Sequence, residues 1–249
     1  MEVLISEKIN KKPQETLNFF KILMLEETKE LAIKIEKVTE ENGFIKLFVE
    51  GEDLEVFLNI IKKTFGLAPS HINNLKINPI FKAFISKIQK DKLYLQAGII
   101  HPKPLDNIYI PIETLWSQLT YGKKEDINNI ATQYCLFKDF PVEVRAVQVN
   151  ESYVEAAFSD KQLQLFWEWQ NFPFERVIIA DTLINEVKKA IKLAHAKMEI
   201  AEIKSLSLLT HLLTCKLAIS SKDLAFKLQK HLPSSRILAF IPKNVKIDC

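Results

Sequence analysis

Few residues in this sequence have the types and spacing that metal binding requires. His211 and Cys215 are four residues apart, so on a helix they would share one face and could supply two metal ligands. A protein metal site needs three or four ligands. His101 and His195 are the only plausible additions, and nothing in the sequence links them to the pair. We therefore favour a structural histidine beside a buried thiol, and we expect no metal and no cofactor.

Patterns that indicate catalysis are also missing from the sequence. The chain has neither a phosphate-binding glycine-rich loop nor the glycine pattern of a dinucleotide-binding site. No pair of carboxylates lies in apolar flanking sequence that would raise the pKa of one member, so general acid–base catalysis has no candidate pair. We expect a protein that is not an enzyme and that has no small-molecule substrate.

A better binding candidate lies in two β-type runs near the middle of the chain, Phe81–Ile88 and Leu93–Ile99. Side chains alternate along a strand, so leucines that point inward leave Tyr94 pointing outward, and the same argument places Phe84 outward. Aromatic rings accept stacked bases at about 1–3 kcal/mol each, and lysines neutralise phosphates. Equally open is that both rings pack under a neighbouring domain. The predicted nucleic-acid-binding face consists of Lys82, Phe84, Lys87, Lys90, Lys92 and Tyr94.

A second concentration of aromatic residues lies in Phe166–Phe174. So many rings on one helix cannot all face a single core stripe, and some are expected to pack between domains. The sharper hypothesis is that Trp167 and Trp169 form a docking patch for a protein partner.

Positive charge is concentrated in the later parts of the chain. Residues 1–78 carry 11 basic and 13 acidic groups, residues 79–150 carry 9 and 7, and residues 151–249 carry 14 and 11. A polyanion should therefore prefer the middle and C-terminal parts. The ordinary alternative is a set of solvated faces. The candidate phosphate contacts in these parts are Arg145, Lys188, Lys189 and Lys192.

The elements that must position these residues follow one order twice. The order strand-helix-strand-strand-helix-strand can be assigned to residues 1–78 and again to residues 175–241. In the first copy Asn42-Gly43 predicts a hairpin turn, and Ile72–Ile77 is the expected fourth strand. In the second copy Leu208–Leu213 is expected to be a short helical turn. Each copy predicts a four-stranded antiparallel sheet backed by two helices, a ferredoxin-like unit.

The segment between the two copies predicts a small barrel. It contains two β-runs, a strand at Tyr109, two helical stretches and a late hairpin over Val142–Phe158, an arrangement that resembles an OB-type barrel. The expected fold class is α+β, with two ferredoxin-like βαββαβ units flanking an OB-like β-barrel. The expected domains are residues 1–78, 79–158 and 159–249, the last of which begins with the aromatic helix.

Several short runs, occurring in the same order, resemble an archaeal family of domains of unknown function, numbered twenty-one ten. The similarity extends from about Gly51 to Pro242, and the resemblance implies an archaeal cytoplasmic protein without carrying over any catalytic residue. In two places the chain departs from the family pattern. Ala218-Ile219-Ser220 stands where members tend to have Gly-Thr-Asp, and Ala194 stands where they tend to have Gly. The matching runs are Leu93–Ile99, Tyr109–Leu115, Pro141–Val144, Glu202–Leu209 and Thr214–Leu217.

Composition is compatible with a soluble globular protein, since 47% of the 249 residues are hydrophobic and 26% are charged. Cys135, Cys215 and Cys249 are too scattered to indicate a disulfide framework, and no apolar run reaches membrane-spanning length. We expect a cytoplasmic, non-catalytic RNA-binding factor associated with the ribosome or with translation. The alternative is a protein–protein adaptor in transcription or another nucleic-acid assembly, and a homodimer also stays open.

Overall fold

Three strand systems organise the chain in the computed structural model, which describes residues 1–77 and 79–243. They are a three-stranded sheet, a closed five-stranded barrel and a four-stranded sheet, so the fold is mixed α+β. Cys249 lies outside the described residues. Within the described ranges, none of the helices combines the length and the apolar character needed to cross a membrane.

The N-terminal sheet has the strand order β1-β3-β2, and its neighbouring strands are antiparallel. Its elements are β1 (Glu2–Lys8), α1 (Pro13–Glu27), β2 (Ile33–Glu41), β3 (Phe44–Gly51) and α2 (Leu54–Thr64). The predicted hairpin turn is present, since Asn42 and Gly43 both adopt positive φ and join β2 to β3. Buried side chains of α1, α2 and β3 share one core: Phe20, Met24, Ile45, Leu47, Phe57 and Ile61.

The predicted fourth strand of this unit, Ile72–Ile77, is wrong. Asn74–Ile77 forms a one-turn helix, α3, and Ile72 and Leu75 are buried in the core of the barrel. These two residues are three positions apart, which is helical spacing and not the alternation of a strand. The N-terminal sheet therefore has three strands.

The middle segment forms the barrel, which closes in the order β4-β5-β6-β8-β7. Strands β6 and β8 are parallel, and every other neighbouring pair is antiparallel. The predicted barrel is thus confirmed as a closed five-stranded barrel, with two helices between its third and fourth strands. The elements are β4 (Ile80–Ile88), β5 (Lys92–Gln96), β6 (Ile108–Pro111), α4 (Ile112–Leu119), α5 (Ile127–Gln133), β7 (Pro141–Val149) and β8 (Val154–Phe158).

The C-terminal sheet has the order β10-β11-β9-β12 and is antiparallel throughout. The helices α7 and α8 pack on one face of it, against Val177, Leu213 and Cys215. The elements of this part are α6 (Asp160–Asn171), β9 (Arg176–Ala180), α7 (Ile184–Leu193), a 3-10 turn (Lys197–Glu199), β10 (Ile200–Ser207), β11 (Thr210–Cys215), α8 (Ser221–Gln229) and β12 (Arg236–Phe240).

The helical turn predicted for Leu208–Leu213 is wrong, because Thr210–Cys215 is a strand in the middle of this sheet. Leu212 faces the barrel side and Leu213 faces the helices, and both are buried. A strand covered on both faces is apolar at consecutive positions, so it lacks the alternation that distinguishes a strand from a helix.

The barrel and the C-terminal sheet share one hydrophobic core. The sheet face opposite the helices contributes Ile178, Leu212 and Phe240 to the core cluster of the barrel. Trp169 of α6 lies between the two parts, with its ring centroid 5.4 Å from that of Phe240 and 6.4 Å from that of Phe140. The aromatic helix α6 therefore packs between the barrel and the C-terminal sheet.

Candidate nucleic-acid interface

Three tyrosines form a row on the outer surface of the barrel, and we call Tyr94, Tyr109 and Tyr153 the tyrosine row. Tyr94 on β5 lies directly opposite Tyr109 on β6, and their ring centroids are 6.1 Å apart. Tyr153 precedes β8, and its ring stacks on that of Tyr109 at 6.1 Å with an interplanar angle of 27°. All three side chains are partly exposed. The row thus presents successive aromatic rings across neighbouring strands.

Strand alternation explains why the rings point outward. The flanking residues Leu93 and Leu95 on β5 are completely buried in the barrel, which leaves Tyr94 outside, as predicted. The same pattern in β6, where Ile108 and Ile110 are buried, turns Tyr109 outward. We missed Tyr109 in the sequence although this signal was available. Tyr153 lies in a turn, where side-chain direction does not follow from alternation.

Lysines surround the tyrosine row. The Lys92 ammonium lies 4.3 Å from the ring centroid of Tyr109. Lys87 on β4 is the cross-strand partner of Tyr94, and Lys90 lies exposed in the turn between β4 and β5. On β8, Glu155 is the cross-strand partner of Tyr109 and is the acidic neighbour of the row. The predicted Lys87, Lys90, Lys92 and Tyr94 therefore lie together.

The Tyr109 hydroxyl is uncharged at neutral pH, because the ordinary pKa of tyrosine is about 10. Partial burial raises the pKa of Tyr109 above its ordinary value, although the Lys92 charge opposes this shift. The shift is away from neutral pH, so Tyr109 adds no negative charge beside the lysines of the face.

Two predicted members of the face are engaged by the N-terminal unit: Phe84 is buried, which corrects that prediction, and Lys82 is partly exposed but paired. Phe84 points out of the barrel but is only 2% exposed, because the N-terminal unit covers it. It packs against Phe44, with ring centroids 6.0 Å apart. Lys82 binds Glu7 of β1 at 2.5 Å. For Phe84, the alternative that the ring packs under a neighbouring domain is correct, so this ring is not available to stack on RNA, whereas the Lys82 charge is already paired with Glu7.

The predicted docking patch is also divided by the structure. Trp169 is buried in the shared core and cannot contact a partner, which corrects that prediction. Trp167 is 48% exposed, because it lies on the opposite side of α6, and its ring meets that of Phe172 edge-on at 5.9 Å. Helical periodicity separates the two tryptophans, since residues two apart on a helix do not share a face.

The remaining basic candidates lie away from the tyrosine row. Lys188, Lys189 and Lys192 are exposed on α7, on the side of the C-terminal sheet that faces away from the barrel. Arg145 is exposed on β7, where it pairs with Ile80 and Ala157. The structure therefore offers a second positively charged surface on α7 and does not join it to the tyrosine row.

His211 and Cys215 do not form a ligand pair. They lie four residues apart on β11, where this spacing corresponds to about 13 Å. The carbonyl of Thr182 can only accept, so His211 Nε2 donates to it at 3.0 Å, and Nδ1 accepts from the Ser205 hydroxyl at 2.9 Å. Burial lowers the pKa of His211 to about 4, and burial raises the pKa of Cys215 to about 11. Both groups are neutral and structural.

The described part of the chain contains no group of three or more His, Cys, Asp or Glu residues placed to hold a metal ion.

Comparisons with solved structures give weak similarities. The intact alpha subunit of aIF2 from Pyrococcus abyssi is 8% identical, with 67% of this chain and 97% of that chain covered and a TM-score of 0.23. A protein from Thermus thermophilus is 13% identical, with 98% of this chain and 40% of that chain covered and a TM-score of 0.20. At these TM-scores neither similarity supports a shared function.

Among curated proteins, none matches the sequence. A family model described as the DUF2110 central domain matches residues 76–170, which include all five barrel strands and most of α6. The family resemblance of the short sequence runs is therefore confirmed over this segment, which matches the DUF2110 family, a family of unknown function.

Proposed function

We propose that this protein is a non-catalytic factor that binds single-stranded RNA, with the tyrosine row as its base-stacking surface. The observation that carries the proposal is the alignment of three partly exposed rings across β5, β6 and the β7–β8 turn. Stacking of a base on an aromatic side chain contributes about 1–3 kcal/mol, and RNA recognition favours unpaired bases that can be splayed onto such rings.

The position of the row on the barrel supports the same proposal. OB-type barrels bind oligonucleotides on their second and third strands and in the turns that follow the first and fourth strands. Here the second and third strands are β5 and β6, the first turn carries Lys90, and the fourth turn carries Tyr153. Lys87 and Lys92 lie where they would neutralise phosphates of a chain stacked on the rings.

The C-terminal part would supply a second contact. The exposed lysines of α7 suit phosphates, which fix the position of a nucleic acid without reading its sequence. We infer that this part, residues 159–249, contains a ferredoxin-like unit, because its element order and its strand order both fit one. The acidic N-terminal part, residues 1–78, would face protein and not RNA. Association with the ribosome or with translation is the cellular role that we propose for these contacts.

The direct test is a fluorescence-anisotropy titration of a labelled single-stranded RNA 12-mer at several salt concentrations. We expect affinity to fall with salt, because lysines displace counterions from the phosphates. The Tyr109→Ala variant should bind roughly 5- to 150-fold more weakly, which corresponds to the loss of about 1–3 kcal/mol of stacking.

The matched control is Tyr109→Phe, which keeps the ring and should keep the affinity within about twofold. Affinity that ignores salt, or that is equal in Tyr109→Ala and Tyr109→Phe, would refute the stacking proposal.

A protein–protein adaptor is the second candidate, and the exposed pair Trp167 and Phe172 favours it. Solvent-exposed aromatic residues that touch each other are a feature of docking surfaces. Pull-downs from lysate with and without nuclease treatment separate the two functions. A specific partner that is retained after RNA removal and lost in Trp167→Ala supports the adaptor.

A further inference from the structure

A groove of about 230 Å³ lies between the turn that follows α4 and the helix α6. Two exposed aromatic side chains line it, Tyr121 from the turn and Trp167 from the helix. Gln133 and Asn171 also line the groove, and each of these residues carries a carboxamide group. This groove shares no residue with the tyrosine row.

Tyr121 is an unexpected residue for its position. It follows the C-terminal end of α4 with φ 53, in the left-handed region, and the next residue closes the turn through a 2.8 Å bond from the Gly122 N–H to the Trp116 carbonyl. Glycine is the usual residue at this position, because a Cβ atom is disfavoured there. The Tyr121 side chain is also 86% exposed. Neither backbone preference nor packing accounts for a large aromatic side chain here.

Trp167 is the second ring that the hydrophobic core does not bury. Its neighbours on α6, Phe166 and Trp169, are buried in the shared core, whereas Trp167 points to the outside. The chain thus holds two large aromatic side chains in solvent on two separate segments that line one groove.

The charges of the groove indicate what kind of ligand it suits. One lysine, Lys123, and one glutamate, Glu125, contribute to the lining, so the groove is close to neutral and does not favour a phosphate or a carboxylate. A carboxamide offers both a donor and an acceptor. Asn171 uses its amide nitrogen on the Trp167 carbonyl at 2.8 Å, which leaves its oxygen available as an acceptor.

Aromatic rings together with carboxamides are the groups that recognise a flat heterocycle with donors and acceptors along its edge. The groove is smaller than the 300–1,000 Å³ that is typical of small-molecule sites, so it suits a single ring system. We propose that this groove binds one unpaired nucleobase, stacked on Tyr121 or Trp167 and held at its edge by Gln133 and Asn171.

The test uses the full chain and two sets of probes, measured by titration calorimetry. The first set is adenosine, guanosine, cytidine and uridine. The second is a single-stranded tetranucleotide of each base, titrated into a Tyr109→Ala background so that the tyrosine row contributes less to binding. We expect saturable binding of at least one base, and the tighter of the two arms identifies whether a free nucleoside or an RNA chain is the source.

Two variants test the assignment of the groove. Tyr121→Gly and Trp167→Ala should each weaken binding at least tenfold. Glycine suits the left-handed backbone at position 121, so Tyr121→Gly should melt no lower than the parent protein, and its loss of binding then reports the loss of the ring. The matched control is Phe226→Ala, which removes a 67% exposed ring from α8 and should leave binding unchanged.

Failure of both probe sets to bind saturably would overturn the proposal. So would binding that Tyr121→Gly and Trp167→Ala leave unchanged. Nucleoside binding that depends on the groove would support the proposal even if RNA ignored the tyrosine row, so the two proposals fail separately.

Discussion

At the scale of single residues, left-handed backbone at non-glycine positions is a recurring feature of this chain. Ala218 has φ 65 and lies three residues after the end of β11. Its side chain is exposed, so packing does not compensate for the strained conformation. An alanine with left-handed backbone at this position therefore has a cost in stability.

The Ala218→Gly variant should be more stable than the parent protein by about 0.5–1 kcal/mol. Glycine relieves about 1–2 kcal/mol of left-handed backbone strain in the folded protein. It also raises the conformational entropy of the unfolded chain, which lowers stability by about 0.4–1 kcal/mol. Urea denaturation measures the difference. Ala201→Gly is the matched control, because Ala201 is exposed within β10 and its replacement should destabilise by about 0.5–1 kcal/mol. Destabilisation by both changes would contradict the explanation.

The sequence allowed side-chain direction to be predicted, and it did not allow prediction of what covers a side chain. Alternation correctly turned Tyr94 and Phe84 away from the barrel interior. Only Tyr94 remains partly exposed, because Phe44 and its neighbours in the N-terminal unit cover Phe84. Contacts between residues forty positions apart depend on which surfaces meet, and periodicity along one strand contains no information about that.

At the scale of elements, β11 is the strand that the sequence concealed. It lies between β9 and β10 and is buried on both faces, so its apolar residues are consecutive. Paired strands with one solvated face, such as β2 and β3, alternate and were predicted. The same burial determines the hydrogen bonding of His211 on this strand. Both of its ring nitrogens are bonded within the protein, to Ser205 and to Thr182.

His211 should make the protein sensitive to acid. Burial lowers the pKa of His211 to about 4 in the folded protein, so below pH of about 6.5 the unfolded chain binds a proton that the folded chain does not. Stability should therefore fall between pH of about 6.5 and 4, by about 3 kcal/mol from this residue. His211→Gln can keep both hydrogen bonds without titrating and should lose this component in urea denaturation at pH 7, 6, 5 and 4.

The control for this prediction is His231→Gln, which changes an exposed histidine and should keep the pH dependence of the parent. If His211→Gln and the parent show the same pH dependence, the buried imidazole is not its source.

At the scale of the whole molecule, the three strand systems meet at one carboxylate. Glu7 of β1 is 2% exposed, binds Lys82 of the barrel, and accepts from the Leu208 N–H beside the C-terminal sheet at 2.8 Å. Nearby, Lys8 pairs with Asp139 of the α5–β7 loop. The charge difference between the parts of the chain was visible in the sequence. The partners were not, because they are separated by 75 to 201 positions.

Replacing Lys82 by Met should destabilise the protein by about 3–5 kcal/mol at pH 7, because it leaves a buried carboxylate unpaired. Burial raises the pKa of Glu7 although Lys82 opposes this. A carboxyl with a raised folded pKa favours folding at low pH, and this contribution is lost as pH rises through the folded value. The loss in Lys82→Met should therefore shrink as pH falls from 7 to 5, as followed by urea denaturation.

The double variant Lys82→Met, Glu7→Gln is the control and should recover part of the stability at pH 7, since it removes the unpaired charge. A loss that is equal at pH 5 and pH 7 and that Glu7→Gln does not relieve would contradict this account. RNA affinity should not follow stability in these variants at temperatures where they stay folded, because Lys82 lies outside the tyrosine row.

The shared core of barrel and C-terminal sheet has a consequence for any RNA that reaches both the tyrosine row and the lysines of α7. Two domains on a flexible linker would offer the second contact over a range of separations. Here Trp169 and Phe240 pack the barrel and the C-terminal sheet into one body, so the distance between the tyrosine row and the lysines of α7 is fixed. Effective concentration then depends sharply on span, being near zero for a ligand that is too short. RNA affinity should therefore rise in a step at the oligonucleotide length that first reaches both surfaces.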